Sequence, residues 1–368
     1  MTWRDGVHIT GTPIWCDARR RRDVCFLSSA DRVGRTGHGQ LIGTSITLAL
    51  AGARDHGHLA VPLRQRFTLG TVRLELIPSG RGFGAAALHV DITGKTVLYA
   101  GAVRTSAGGV GDPAELRTCD AVVVAAPFGE PRHRFPPLTR AIDQTLAWTR
   151  AQLAAGKRPV LFVDTPLDGL EVASRLAAEG LALSGARTIR EAGQRIADRV
   201  PPAQIINGAV LIGSSIVPRP IGRAVRTAEH SHAAPATPPP RVAIGTQALP
   251  TISDSGIPVI SSPGREPRAI VWLDSDHAGL LRAVGERPFA TALVSARAID
   301  GTTGYDAGFV WAAAADRAQL LAWIEATSAR DVFVTGACAE AIVAELGAGA
   351  RIIGPPQQMP LFPREAFS

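Results

Sequence analysis

The stretch Asp274-Ser275-Asp276-His277 has the residue types that bind metals and transfer protons. Two carboxylates and an imidazole so close together could hold a divalent cation or act as general acid and base. The same residues are also typical of a helix start, where Asp274 or Ser275 would accept hydrogen bonds from free backbone amides. An apolar strand pattern precedes them and a helical pattern follows. We therefore predict a helix cap here rather than a relocated catalytic site.

Other reactive side chains lack the partners that their chemistry requires. His56 with His58, and His230 with His232, could each give a metal two ligands, but the first pair lies beside glycine and the second in a proline-rich tract. We interpret both as surface histidines. A nucleophilic hydrolase is disfavoured because there is no Gly-x-Ser-x-Gly turn, and neither the serine pair at 214–215 nor Cys338 has an assignable base.

The glycine-rich stretch 80–85 imitates a dinucleotide-binding loop, with Gly80-x-Gly82 followed by Ala85. Such a loop must open a helix, because the helix N-terminus and its backbone amides hold the phosphates. Here the next apolar residues, Leu88, Val90 and Ile92, alternate as in a strand. The pattern therefore predicts a turn between two strands.

The end of the chain carries the most specific motif. A helix, the buried strand 332–334 and a helix at about 339–346 lead into Gly-Pro-Pro-x-Gln-Met-x-Leu-Phe. The motif residues are Gly354, Pro355, Pro356, Gln358, Met359, Leu361 and Phe362. This order resembles the end of the metallo-β-lactamase/β-CASP nucleases, in particular the bacterial ligase-associated DNA exonucleases related to mRNA 3′-end processing factors.

The resemblance implies a site whose metal ligands are lost. Members of the family hold two zinc ions through histidine and aspartate side chains. The positions that match those motifs, or adjoin them, are Ser29, Asp31, Val33, Gly34, Arg81, Ala102, Ala125, Ala313, Ala314 and Gly336. Among them only Asp31 has a side chain that could bind a metal, and the guanidinium of Arg81 would repel a cation. We expect no bound metal and no catalytic residue, and we expect Ser29, Asp31, Arg81, Ala102, Ala314 and Gly336 to meet in one pocket.

The elements that must position these residues follow from the same resemblance. It implies an α/β fold, namely a metallo-β-lactamase αββα sandwich with an inserted β-CASP α/β lobe. The divisions are 1–140 and 301–368 for the sandwich and 141–300 for the lobe. Apolar patterns predict one strand at 67–78, and in the lobe they predict strands at 160–163, 209–212, 269–273 and 290–294, with helices at 142–155, 170–179 and 277–284.

Composition agrees with a folded globular protein. With 46% hydrophobic and 19% charged residues in 368, the chain lies far from the disordered range. No leader pattern or membrane span is visible, which favours the cytoplasm. The scattered cysteines Cys16, Cys25, Cys119 and Cys338 match neither a zinc knuckle nor a disulfide framework, and we expect them to be buried.

The net charge of +7 and the run Arg19, Arg20, Arg21 and Arg22 favour polyanions, so these arginines and Arg81 are candidate nucleic-acid contacts. The leading hypothesis is a pseudoenzyme of the β-CASP family in DNA repair or RNA processing. Its partners would be DNA or RNA, an active paralogue, a DNA ligase or a helicase, and no membrane. The alternative is a residual phosphodiesterase that uses Asp31 and displaced histidines to hold zinc or manganese.

Overall fold

The computed structural model describes residues 1–32, 37–53, 57–199, 204–206, 209–211, 260–261, 263, 268–284 and 288–355. The predicted positions Val33 and Gly34, the histidines at 56, 230 and 232, and the closing motif beyond Pro355 lie outside these residues. Within the described ranges, no helix is both long and apolar enough to cross a lipid bilayer.

The first part of the chain is rich in strands. It contains β1 (Thr2–Trp3), β2 (Val7–His8), β3 (Ile14–Cys16), β4 (Val24–Phe26), β5 (Gln40–Gly43), α1 (Ser45–Leu50) and β6 (Leu59–Ala60). It continues with β7 (Arg66–Leu69), β8 (Val72–Pro78), β9 (Ala86–Ile92), β10 (Lys95–Ala102) and β11 (Ala121–Ala125). The predicted single strand at 67–78 is wrong, because the chain reverses at Gly70, whose φ of 61° suits a hairpin turn, and β7 pairs antiparallel with β8.

The middle of the chain alternates helices and strands. It contains α2 (Leu138–Ala154), β12 (Arg158–Val163), α3 (Pro166–Ala178), β13 (Leu183–Gly185), α4 (Arg187–Ile196), β14 (Gln204–Ile206), β15 (Ala209–Leu211), β16 (Ile260–Ser261), β17 (Ala269–Leu273), α5 (His277–Val284), β18 (Phe289–Val294) and β19 (Ala307–Phe309). The last part contains α6 (Arg317–Ala326), β20 (Asp331–Thr335), α7 (Ala339–Leu346) and β21 (Ala350–Ile352). The helices predicted at 277–284 and 339–346 are confirmed with their bounds.

Two sheets pack face to face in the part outside the lobe. One has the order β1-β2-β3-β4-β5-β6, and the other β21-β20-β11-β10-β9-β8-β7. Side chains from both, including Ile14, Phe26, Leu76 and Val90, form a shared core. On the outer faces, Leu48 of α1 packs on the first sheet, and Leu320 of α6 with Ile342 of α7 packs on the second. The layers therefore follow the order helix, sheet, sheet, helix.

The lobe has its own parallel sheet, in the order β16-β13-β17-β12-β18-β19. Its core joins β12 and β17 to buried residues of α3. This sheet and the helices packed on it, which form the lobe, lie between Leu138 and Phe309. The predicted bounds of the inserted lobe are 141 and 300. The strand predicted at 209–212 instead forms a separate hairpin of β14 and β15. The α/β class is confirmed.

Candidate functional site

One cleft of about 200 Å³ lies where strand ends of the second sheet face the lobe. It is lined by five of the predicted positions, Asp31, Arg81, Ala102, Ala313 and Ala314. The lobe contributes Asp164, Thr165, Asp168 and Ser295, and the remaining walls are Pro127, Phe128, Val294, Ala296 and Trp311. Together these residues form the cleft.

Arg81 forms the electrostatic centre of the cleft. Its Nη2 donates to Oδ2 of Asp31 at 2.7 Å, and its Nη1 donates to Oδ1 of Asp168 at 2.8 Å. The three side chains are only 11%, 14% and 13% exposed. Burial alone would lower the pKa of Arg81, but the carboxylates of Asp168 and Asp31 raise it above its usual value. A fixed cation therefore occupies the part of the cleft nearest Asp31.

The position of Arg81 follows from local structure on both sides. It lies in the loop between β8 and β9, where Gly84 has a φ of 70° and its carbonyl accepts hydrogen bonds from Thr44 and Thr47 at 2.7 Å each. Asp168 lies in the first turn of α3, and its amide donates to the capping hydroxyl of Thr165 at 3.2 Å. The loop of Arg81 is thus held by the N-cap residue of α1, and Asp168 is held by the N-cap residue of α3.

Methyl groups fill the next part of the site. Ala102 ends β10 and Ala125 ends β11, and both pack with Ala314 and Phe128 in a small buried cluster. None of these side chains has an atom that can donate electrons to a metal. This end of the second sheet is therefore closed by apolar contact.

Gly336 follows β20 beside the same cluster. Its φ is 103°, and a Cβ built there would lie 2.9 Å from the carbonyl oxygen of Ala126. A side chain at this position would have to displace the backbone after β11. The sequence-predicted position is thus near Ala125, but the local backbone leaves no room for an imidazole.

Ser29 completes the predicted set by donating a hydrogen bond to Asp31. Behind it, the Asp17 carboxylate accepts from the Ser28 amide at 2.8 Å, the Ser28 hydroxyl at 2.5 Å and the Tyr99 hydroxyl at 2.8 Å. Of the six positions expected to meet in one pocket, Asp31, Arg81, Ala102 and Ala314 line the cleft, whereas Ser29 and Gly336 do not.

Asp316, the acidic residue that follows the four alanines at 312–315, has a structural role. Its Oδ1 accepts from the Gln319 amide at 2.9 Å, completing a capping box at the start of α6. Its Oδ2 accepts from the Phe135 amide at 3.1 Å. Both carboxylate oxygens are thus engaged by backbone N–H groups.

A second ion-pair network lies on the lobe side. Arg297 donates to Asp164 from Nε at 2.8 Å and from Nη2 at 2.5 Å, and its Nη2 also reaches Asp274 at 2.8 Å. Asp274 accepts further hydrogen bonds from Tyr305 and, at 3.2 Å, from the His277 ring. Burial, followed by the hydrogen bond to Asp274, raises the pKa of Tyr305 to about 12.

A helix cap is present in the stretch 274–277, as predicted, but the predicted capping residue is wrong. Asp276, rather than Asp274 or Ser275, accepts from the Gly279 amide at 3.0 Å in the first turn of α5. Asp274 instead accepts a hydrogen bond from Arg297. The ends of β17 and β12 are neighbours in the parallel sheet, which places Asp274 near Asp164, the other carboxylate that Arg297 contacts. Periodicity alone does not reveal that pairing.

Two of the candidate nucleic-acid arginines in the run 19–22 have partners within the first part of the chain. The loop that holds them connects the parallel strands β3 and β4. Arg22 stacks 3.9 Å above the Trp15 ring and donates to the Arg4 carbonyl, and Arg20 pairs with Asp5 at 3.0 Å. Arg20 and Arg22 therefore make contacts within the chain, and Arg81 is paired with Asp31 and Asp168 in the cleft.

The remaining candidates have structural roles. Cys338 lies 4.0 Å from Nδ1 of His133, a partner that sequence reasoning missed. That nitrogen already accepts from the Gly129 and Glu130 amides at 3.1 Å each, so it is not available as a base. His58 accepts from the Leu41 amide at 3.1 Å. All four cysteines are buried, as predicted.

A larger groove of about 550 Å³ lies on the other side of the glycine-rich loop. Its walls include Ile46, Val61, Phe83 and Val110, and its charged residues are Arg64, Asp112 and Arg199. Arg64 is paired with Asp112 at 2.8 Å. Size alone does not make this groove the functional site, because none of the predicted site residues lines it. The glycine-rich loop itself connects β8 to β9, so the predicted turn between two strands is confirmed.

The cleft does not suit the two zinc ions that the resemblance implies. Metal sites need several anionic or imidazole donors aimed at one point. In the part of the chain that the structure describes, no group of three His, Cys, Asp or Glu side chains is arranged to hold a metal. The nearest carboxylates, Asp31 and Asp168, both point at Arg81 instead.

Comparisons with known proteins give a structural similarity only. No family model and no curated protein matches the chain. One similar solved structure is the crystal structure of a protein of unknown function from Enterococcus faecalis V583. It shares 11% sequence identity, covers 90% of this chain and 79% of its own, and has a TM-score of 0.49.

Proposed function

We propose that this chain is a catalytically degenerate homologue of the metal-dependent β-CASP nucleases that acts as a non-hydrolytic partner in DNA repair or RNA processing in the cytoplasm. Its two packed sheets would be a metallo-β-lactamase sandwich, with residues 138–309 as the inserted lobe. The observation that carries the proposal is the position of Arg81, whose guanidinium joins Asp31 to Asp168 in the cleft. Because Arg81 engages both of these carboxylates, neither is aimed at a site where a divalent cation could bind.

The charge of the cleft favours a scaffolding role over a nucleic-acid channel. Its charged walls are Asp31, Asp164, Asp168 and Arg81, which leaves two net negative charges. Phosphate backbones are held by unpaired cations, whereas here both oxygens facing Arg81 belong to carboxylates. An active paralogue, a DNA ligase or a helicase is therefore a better partner for this surface than DNA or RNA.

The test combines hydrolysis with binding. Purified protein should cleave neither single- nor double-stranded DNA nor RNA in the presence of zinc, manganese or magnesium. Fluorescence anisotropy with labelled oligonucleotides at low and high salt then separates the two roles. Scaffolding predicts no salt-dependent binding and a complex with a partner protein that survives nuclease treatment. Metal-dependent cleavage that disappears in Asp31→Ala would establish the alternative, a residual phosphodiesterase.

A further inference from the structure

Helix α3 belongs to the lobe, but one of its faces contacts the part of the chain outside the lobe. Asp168, Glu171 and Arg175 are three and four residues apart, so they lie on the same side of the helix. Leu170 and Ala173, on the other side, pack in the lobe core. The helix therefore joins the lobe to its surroundings through polar side chains.

Two ion pairs hold this face to the loops that follow β8 and β10. Asp168 accepts a hydrogen bond from Arg81 at 2.8 Å, and Glu171 accepts one from Arg104 at 2.6 Å. The side chains of Arg104 and Glu171 are only 2% and 1% exposed. The fit is close, because a Cβ on Gly109 would collide with Nη2 of Arg104. A buried pair of this kind is stable only while each charge keeps its partner.

Arg175 adds a positive charge that none of the described carboxylates pairs with. Its Nη2 donates to the Gly109 carbonyl at 2.5 Å, but its buried Nε has no hydrogen-bond partner among the described residues. Burial lowers the pKa of Arg175, the Glu171 carboxylate opposes this shift, and the Arg104 guanidinium adds to it. Glu171 is already paired with Arg104. Two guanidinium groups thus share one carboxylate where water screens their repulsion poorly.

The lobe is joined to the rest of the chain by two segments, 126–137 and 310–316. Asp316 ties these segments together, because its Oδ2 accepts from the Phe135 amide at 3.1 Å. The walls of the cleft come both from the lobe and from the part outside it. A movement of the lobe about the two segments would therefore change the width of the cleft.

We propose that the polar face of α3 is a latch that releases the lobe, and that the surplus charge of Arg175 favours release. The latch consists of Asp168, Glu171 and Arg175 with their partners Arg81, Arg104 and Gly109. Glu171 holds it shut, because its charge attracts both neighbouring guanidinium groups. The latch does not depend on the proposed function, whose failure would show in metal binding and hydrolysis instead.

The test measures the distance between the lobe and the rest of the full chain. Nitroxide labels on Asp143→Cys, at an exposed position of α2, and on Thr71→Cys, in the turn between β7 and β8, report it by double electron–electron resonance. The four native cysteines are buried and should not be labelled. Glu171→Gln should add a second distance and raise the ratio of open to closed molecules about tenfold or more. A single, unchanged distance in this variant would overturn the proposal.

Arg175→Met gives the sharpest result, because it removes a hydrogen bond and yet should close the latch. In the Glu171→Gln background it should lower the ratio of open to closed molecules about three- to fivefold, the range for one partly screened charge contact. A mere loss of packing or hydrogen bonding would have the opposite effect. A double variant as open as Glu171→Gln, or more open, would therefore overturn the role given to Arg175.

One further variant and one control complete the test. Asp168→Asn weakens the same face and should add the second distance to a smaller extent than Glu171→Gln, so it replaces that variant if the latter does not fold. Arg150→Met breaks an exposed pair with Glu179 on the lobe surface and should leave the distance unchanged. Equal effects of Asp168→Asn and Arg150→Met would contradict the latch.

Discussion

The Arg81→Met substitution removes the guanidinium and leaves Asp31 and Asp168 facing the same space. Removing one partner from a buried ion pair typically costs about 3–5 kcal/mol, because the remaining charge is desolvated without compensation. The side chains of Arg81, Asp31 and Asp168 are still 11–14% exposed, so water compensates part of this cost. We therefore expect the free energy of unfolding to fall by about 2–4 kcal/mol. Asp168→Asn leaves Arg81 paired with Asp31 and should cost less.

A double-mutant cycle isolates the interaction. If Arg81 and Asp168 are coupled as the structure indicates, the double variant should be more stable than the sum of the single losses implies, by about 1–3 kcal/mol. Urea unfolding followed by circular dichroism and tryptophan fluorescence measures each term. Arg187→Met breaks an exposed pair with Glu191 and is the matched control, with no loss of stability expected beyond experimental error. Additive losses, or an Arg81→Met variant as stable as the control, would refute the assignment of Arg81 as the central cation.

Three further predictions concern the surroundings of the cleft. Gly336→Ala should cost about 2–3 kcal/mol, because φ is 103° and its Cβ would meet the Ala126 carbonyl at 2.9 Å. Gly347→Ala, with φ 74° and open space, should cost only about 1 kcal/mol in the same urea unfolding assay, and equal losses would contradict the close approach. Arg104→Met should cost about 3–5 kcal/mol, because Arg104 pairs at 2.6 Å with Glu171 and both side chains are almost fully buried. The double variant with Glu171→Leu should recover part of that loss, and no recovery would mean that the pair is not coupled. Folding raises the pKa of Tyr305 to about 12, so the neutral phenol of Tyr305 stabilises the folded state below about pH 10, and this stabilisation is lost as the pH rises to about 12. Tyr305→Phe should therefore flatten this part of the curve of unfolding free energy against pH. An unchanged slope in the variant would contradict the assignment.

Local pattern predicted most of the elements. The helices at 277–284 and 339–346 have the predicted bounds because each apolar stripe is bounded by a polar or glycine residue at its end. The hairpin at Gly70 was missed because the apolar alternation continues across the turn. β19 was missed for a different reason, because a three-residue strand at the edge of the sheet is too short to show alternation.

The arrangement of charges could not be predicted from the sequence. Asp168 follows Thr165 at the spacing that is typical of a helix cap. Its ion-pair partner Arg81 is 87 residues away in sequence, so local pattern does not indicate the pair. The arginines at 19–22 look like a binding patch, yet Arg22 lies against Trp15 and Arg20 pairs with Asp5. Such pairings depend on which strand ends are neighbours in space, and single-sequence periodicity does not contain that information.

Metal content is the most direct test of the claim that Arg81 has replaced a metal. Protein purified without chelators, then incubated with zinc and manganese and desalted, should carry neither metal above the buffer background by inductively coupled plasma mass spectrometry. Arg81→Met should behave in the same way, because Asp31 and Asp168 alone are too few donors for a tight site. One or more equivalents of zinc or manganese retained by the unaltered chain, and lost in Asp31→Ala, would contradict the account.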